Sequence, residues 1–230
     1  MTALAPTAIA GFSAIAAALG FVVGLFLNVG SRRVPYRIIE LATSVAFAGV
    51  TATTLATATA PLAATAAVLV AYLYFLSIAV ALTLIDLETH RLPNAIVLPS
   101  YLVAGGLFAF ACVLGADGAS LVRAAIGGVV LFAFYGALRL IGPGAMGGGD
   151  VKLAGVIGMY LGWLGWGALA VGAFAAFFLG GAFGLALLGL RRAGRRTAIP
   201  FGPWMLLGAL AGIVVGERLG GWYAGFVVPT

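Results

Sequence analysis

The feature that most constrains this chain is a succession of apolar stretches, each close to the length that crosses a bilayer, joined by short polar connections. About 20 apolar residues cover the hydrocarbon core of a membrane. Stretches of that kind occupy residues 8–29, 38–58, 64–85, 95–114, 120–141, 151–164, 166–190 and 203–222. The sixth is short. Its boundary with the seventh, Gly162-Trp163-Leu164-Gly165-Trp166, carries two tryptophans of the kind that suit a membrane interface. The stretches are continuous instead of alternating, which argues against a β-barrel. With 63% hydrophobic and 8% charged residues, the chain lacks the charged surface that a soluble domain of 230 residues needs. The expected fold is all-α: a polytopic membrane bundle of about eight transmembrane helices, forming one domain over residues 1–230.

The basic residues sort by side. Connections after the first, third, fifth and seventh stretches hold Arg32, Arg33 and Arg37, then Arg91, then Arg139 and Lys152, then Arg191, Arg192, Arg195 and Arg196. Only Arg123 and Arg218 fall on the other side. The positive-inside rule therefore places these connections in the cytoplasm and both termini outside. The net charge of +6 reports this orientation instead of a nucleic-acid partner. No basic region precedes the first stretch, so it reads as a retained span and not as a cleaved signal peptide. The single cysteine, Cys112, allows neither a disulfide framework nor a cysteine zinc site, and reads as a small buried hydrophobe. The 35 glycines include small-residue runs such as Gly105-Gly106 and Gly180-Gly181, which suit close helix packing.

Ionisable groups in or beside a span are costly and usually functional. Four acids fall on the cytoplasmic side: Glu40, Asp86, Glu88 and Asp150. Asp86 ends the third stretch and is followed by Pro93-Asn94, a helix-start signal. Asp150 closes Gly147-Gly148-Gly149-Asp150 at the start of the sixth, with Lys152 just beyond. Both aspartates lie at one depth on one side, so a fold can join them without crossing the membrane. Two carboxylates at one site cannot both ionise cheaply and hold a proton between them. One then serves as general base on a water, while the protonated partner polarises a scissile carbonyl. The glycines before Asp150 permit backbone conformations barred to other residues and let an extended peptide approach by strand addition. A glycine hinge with Asp150 as a helix cap is the competing reading of that pattern. A metal site built from Asp86, Glu88, His90 and Asp150 is disfavoured, because the chain has one histidine and no recognised ligand spacing.

These motifs together resemble the type IV prepilin peptidases, polytopic aspartyl proteases of the prokaryotic cytoplasmic membrane. Gly24-Leu25-Phe26-Leu27-Asn28-Val29 followed by Arg33-Val34-Pro35 is similar to the family's first-span motif. Asp86 with Leu92-Pro93-Asn94 resembles the pattern carrying the first catalytic aspartate, and Gly147-Gly148-Gly149-Asp150-Val151-Lys152 the second. Ile199-Pro200-Phe201-Gly202-Pro203 is similar to the segment that leads into the family's last span. The resemblance implies catalysis by Asp86 and Asp150, with Gly147, Gly149, Lys152, Glu88, Pro93, Pro200 and Gly202 as substrate-binding or supporting residues. It implies cleavage of basic leaders from prepilins or pseudopilins at the cytoplasmic face, with no metal and no other cofactor. Residues 1–58 resemble the family's N-terminal region and 64–222 its catalytic core.

One departure is instructive. Many members carry two Cys-x-x-Cys pairs between the first two spans and also N-methylate the new pilin terminus. Here Val34-Pro35 runs directly into Tyr36-Arg37-Ile38-Ile39-Glu40-Leu41, so methyl transfer and S-adenosylmethionine are not expected. Glu40 reads as an interface group that helps place the first loop. The arginine clusters suit anionic lipid headgroups, and no nucleic-acid partner is expected. A proton-coupled carrier that uses its membrane acids is the alternative function, but it calls for acids near the bilayer midplane and related halves. An inactive scaffold would not need both aspartates and the glycine turn. A presenilin-type protease would carry Tyr before its first aspartate, where this chain has Ile85.

Overall fold

A computed structural model describes residues 4–28, 37–141, 146–190 and 200–227. Val29, Arg32, Arg33 and Pro35 of the first motif, the Arg191–Arg196 cluster and Ile199 lie outside the described residues. The described residues form eight helices: α1 Pro6–Asn28, α2 Ile38–Ala56, α3 Leu62–Thr89, α4 Asn94–Val113, α5 Gly118–Ile141, α6 Gly148–Leu164, α7 Trp166–Gly189 and α8 Gly202–Val227. Seven of them are long and apolar enough to cross a membrane. The remaining one, α6, has 17 residues, and 11 of these are buried, so it fills the middle of the bundle. The chain is a multi-span membrane protein with an all-α bundle fold.

The surface is apolar in the way lipid requires. Phe26, Leu102, Val113, Phe174 and Leu185 are exposed on the outer faces. Inside, consecutive helices pair as antiparallel hairpins, α1 with α2, α5 with α6 and α7 with α8. Small residues close these seams. A Cβ on Gly127 of α5 would stand 2.5 Å from the carbonyl oxygen of Gly158 on α6, so both helices need glycine there. The runs singled out above behave differently: Gly106 and Gly181 face open space, while Gly180 packs on Phe201. Tight packing follows the seams, not the density of glycine in sequence.

An aromatic core ties α3, α4 and α6 together. Phe108 stacks on Trp163 with centroids 4.4 Å apart and an interplanar angle of 9°. The Tyr72 hydroxyl donates to the Tyr160 carbonyl at 2.7 Å. Trp163 is thus a buried core residue and not an interface anchor, because its ring fills the space opened by the short α6; Trp166 is exposed. Cys112 is partly buried against the same core. The α6–α7 junction is held by two charges from other helices. Arg123 donates from Nε to the Gly162 carbonyl at 2.8 Å and from a terminal nitrogen to that of Trp163 at 2.9 Å. Glu217 accepts the Ala168 N–H at 2.8 Å. These satisfy a helix C-terminus and a helix N-terminus that apolar surroundings leave without partners.

Candidate active site

Asp86 lies in the last turn of α3, four residues before His90, which ends the helix. His90 takes a left-handed conformation, φ 54°, and its N–H closes on the Asp86 carbonyl at 2.9 Å. The apolar stretch was expected to stop at residue 85, but the helix runs on to Thr89, which sets Asp86 inside regular structure. Its side chain is 4% exposed. Oδ2 accepts the backbone N–H of Gly202 at 3.1 Å. Gly202 is buried and opens α8, and Pro200 is half-buried just before it.

Asp150 stands in the first turn of α6, half-buried. Its Oδ2 turns back to accept the N–H of Gly147, the residue preceding the helix, at 3.1 Å. The two aspartates are therefore held alike: each takes a glycine N–H at the mouth of a helix, and a Cβ on Gly147 would stand 3.0 Å from the bonded oxygen. The cap reading and the site reading of Asp150 coincide, since capping fixes the carboxylate.

Two further contacts draw the motifs together. A Cβ on Gly149 would come within 2.8 Å of Leu92 Cβ, so the loop that follows Asp86 lies directly on the glycine turn. Lys152 donates from Nζ to Asn94 Oδ1 at 2.9 Å, tying α6 to the start of α4. Pro93 precedes that helix, and its carbonyl accepts the N–H groups of Ile96 and Val97. The Tyr101 hydroxyl donates to the Lys152 carbonyl at 2.6 Å. With α3 and α6 so fixed, the Asp86 and Asp150 carboxylates are within charge–charge range of each other. Both sit at helix ends and not at mid-helix, which disfavours the carrier reading.

A family model described as the type IV leader peptidase family matches residues 73–185, a stretch that includes both aspartates. A prepilin leader peptidase/N-methyltransferase of Aeromonas salmonicida (strain A449) is 33% identical over 191 residues, covering 82% of this chain and 60% of that protein. Over residues 73–185 the chain is similar to the type IV leader peptidase family. The Aeromonas hydrophila protein of the same name is 33% identical over 189 residues, 82% of this chain and 61% of that protein. That of Dickeya chrysanthemi is 35% identical over 147 residues, 64% of this chain and half of that protein. The chain thus spans about 60% of the length of its Aeromonas relatives. No solved structure gives a significant match.

The other acids divide. Glu88 is exposed on the final turn of α3. Glu40 is buried, 3% exposed, and its Oε1 accepts the Asn28 side-chain N–H at 2.7 Å, joining α1 to α2. Among the described residues, no three His, Cys, Asp or Glu side chains gather as a metal site would need. A cavity of about 410 Å³ opens at the opposite end of the bundle, between α2, α3, α5, α6 and α8. Arg123 and Glu217 on its wall are already bonded to the α6–α7 junction, so this cavity is not read as the reactive site. A shallow depression formed by Ile85, Thr89, Arg91, Leu92 and Pro93 borders the Asp86 end instead. The sequence reading missed Tyr135 of α5, which the Asp150 charge reaches. The signal available was a phenol inside an apolar helix, fifteen residues ahead of Asp150.

Proposed function

We propose that this chain is an aspartyl endopeptidase that removes basic leader peptides from prepilins or pseudopilins, with Asp86 and Asp150 as its catalytic pair. The observation that carries the reading is the matched fixation of two carboxylates from distant motifs, each by a glycine N–H, within range of each other's charge. The family match and the names of the relatives support the substrate class.

One aspartate, ionised, takes a proton from water as the water attacks the scissile carbonyl. The other, protonated, donates to the carbonyl oxygen and the proton then passes to the leaving nitrogen. Low dielectric at the bilayer boundary strengthens the sharing of one proton. An extended substrate strand would lie along the Gly147–Gly149 turn, where side chains are absent. The distribution of basic residues supports a cytoplasmic active site with both termini outside, and the arginine-rich connections would meet anionic lipid. Gly149, Lys152, Pro93, Pro200 and Gly202 act in this reading as supports of the pair, and Glu88 as a partner for the basic leader. Methyl transfer is left out, because the internal Cys-x-x-Cys pairs are absent.

Co-expression with a prepilin tests the proposal. Leader removal is expected from the intact chain and is expected to be lost in both Asp86→Asn and Asp150→Asn. Normal processing by either variant would sink the assignment.

A further inference from the structure

In the proposed reaction the substrate strand lies along the Gly147–Gly149 turn, on the face that the missing side chains leave free. That face is not open in this structure. Leu92, half-buried, lies on Gly149, where a Cβ would stand 2.8 Å from the Leu92 Cβ and 3.4 Å from its backbone nitrogen. The Arg139 guanidinium, from the last turn of α5, lies on Gly148. The two covers differ in kind. Arg139 is exposed, and its long side chain can swing aside without any backbone change. Leu92 approaches with its backbone, so it leaves only if the segment between α3 and α4 moves. That segment, residues 91–93, is weakly held. Among the described residues neither the Arg91 nor the Leu92 N–H makes a hydrogen bond, and the Arg91 carbonyl accepts from the Thr89 hydroxyl at a long 3.2 Å. Its upstream end turns at His90, in a left-handed conformation that residues with a side chain rarely adopt. Its downstream end is pinned by Asn94, the first residue of α4, whose Oδ1 accepts from Lys152 Nζ at 2.9 Å. The depression lined by Ile85, Thr89, Arg91, Leu92 and Pro93 borders the segment and leaves it room to move.

We propose that residues 91–93 form a lid over the glycine turn, latched shut by the Lys152–Asn94 bond, and that the substrate strand binds only when the lid lifts. The inference rests on the reading of Asp86 and Asp150 as a catalytic pair with a peptide laid along that turn. Lifting the lid leaves the pair in place, because neither carboxylate is held through the segment. Asp86 takes the Gly202 N–H from α8, and Asp150 takes that of Gly147. The lid therefore acts on binding. Strand and Leu92 compete for one face, so the apparent affinity for substrate is the intrinsic affinity reduced by the fraction of chains with the lid open. The latch sets that fraction, since a bond from a charged donor is stronger than a neutral one. A weaker latch tightens substrate binding and a stronger one loosens it. A loop that only supports the pair would behave differently: its loss would misplace the carboxylates and lower kcat.

The test compares Asn94→Ala, which removes the acceptor, with Asn94→Asp, which turns the latch into an ion pair, each in the full chain and assayed with a prepilin in proteoliposomes. Alanine and aspartate both suit the first turn of a helix, so the fold is kept. The expected result is a fall in KM of about tenfold for Asn94→Ala, the scale of one hydrogen bond to a charged group. Asn94→Asp is expected to raise KM, and kcat is expected to hold in both. A fall in kcat at unchanged KM in Asn94→Ala would overturn the lid and leave the loop as a support of the pair. A second measurement needs no substrate. Cys112→Ala removes the single native cysteine, and Leu92→Cys then places one thiol on the lid. Its reaction with a water-soluble maleimide is expected to run fastest with Asn94→Ala and slowest with Asn94→Asp. Equal rates in all three backgrounds would overturn the lid, while the catalytic pair stands on cleavage by the wild type. If the wild type cleaves no prepilin, the pair reading falls, and the order of the labelling rates alone decides the lid.

Discussion

Gly202 holds Asp86 from 116 residues away in sequence, its N–H donating to Oδ2 at 3.1 Å. A Cβ on residue 202 would stand 2.7 Å from that oxygen, while one on Gly147 would stand 3.0 Å from the bonded oxygen of Asp150. The first contact forces the carboxylate to move and the second asks for a few tenths of an ångström. Gly202→Ala is therefore expected to lower kcat more than Gly147→Ala, by about a hundredfold if displacement approaches 1 Å. Leader-cleavage assays on both purified variants decide this, and equal losses would contradict it.

The α5–α6 seam carries the placement of Asp150. Gly127 and Gly158 meet backbone to backbone, and neither has room for a methyl group. Gly127→Ala is expected to destabilise the bundle by about 1–3 kcal/mol through overpacking. Gly181→Ala, which would point into open space, is expected to be neutral. Melting in detergent compares the two, and a neutral Gly127→Ala would show the seam to be looser than described.

Arg123 and Glu217 belong to the frame. Arg123→Met removes three donated bonds, to Gly162, Trp163 and Ser120. The expected effect is a loss of about 1–3 kcal/mol for the unmatched carbonyls. In the fraction that stays folded, kcat for leader cleavage is expected to hold, because the aspartates lie at the other end of α6. A fall in kcat without a fall in melting temperature would show that this end reports to the site.

Asn28 and Glu40 close the α1–α2 hairpin. Both are 3% exposed and share one hydrogen bond of 2.7 Å, while Asn28 Oδ1 and Glu40 Oε2 have no partner among the described residues. Glu40→Gln replaces Oε2 with a donor for Asn28 Oδ1 while its remaining oxygen still accepts from Asn28, so it is expected to keep or raise the melting temperature. Asn28→Leu leaves the carboxyl without its donor and is expected to lower it. The reverse order would show that the ionised carboxyl of Glu40 is itself required.

Much of the fold was legible because lipid imposes simple rules. Continuous apolar stretches named the helices to within a few residues, and the short sixth stretch became the short buried α6. Asp86 and Asp150 were legible as costly charges at helix ends, and their glycine and proline neighbours marked where the backbone would turn. The misreadings share a cause. Trp163 was assigned to an interface, and Gly106 and Gly181 to packing seams, from residue type alone. Which face of a helix meets a neighbour depends on rotation about its axis, and a helix that is apolar all round does not encode this in periodicity.

The sequence by itself determined that the chain must be a helical membrane bundle and that two aspartates must sit beside glycine and proline turns. Hydrophobic length and the cost of charge in lipid are local properties, read residue by residue. Only the tertiary structure decided that Gly202, at the start of the last helix, is the residue that holds Asp86, and that Leu92 lies on the glycine turn of Asp150. The same holds for Tyr135, whose ring packs against Phe177 of α7 and against Phe201, the residue before Gly202. These relationships arise where separate helices meet, and their register comes from interlocking glycines and aromatic rings that no single segment contains.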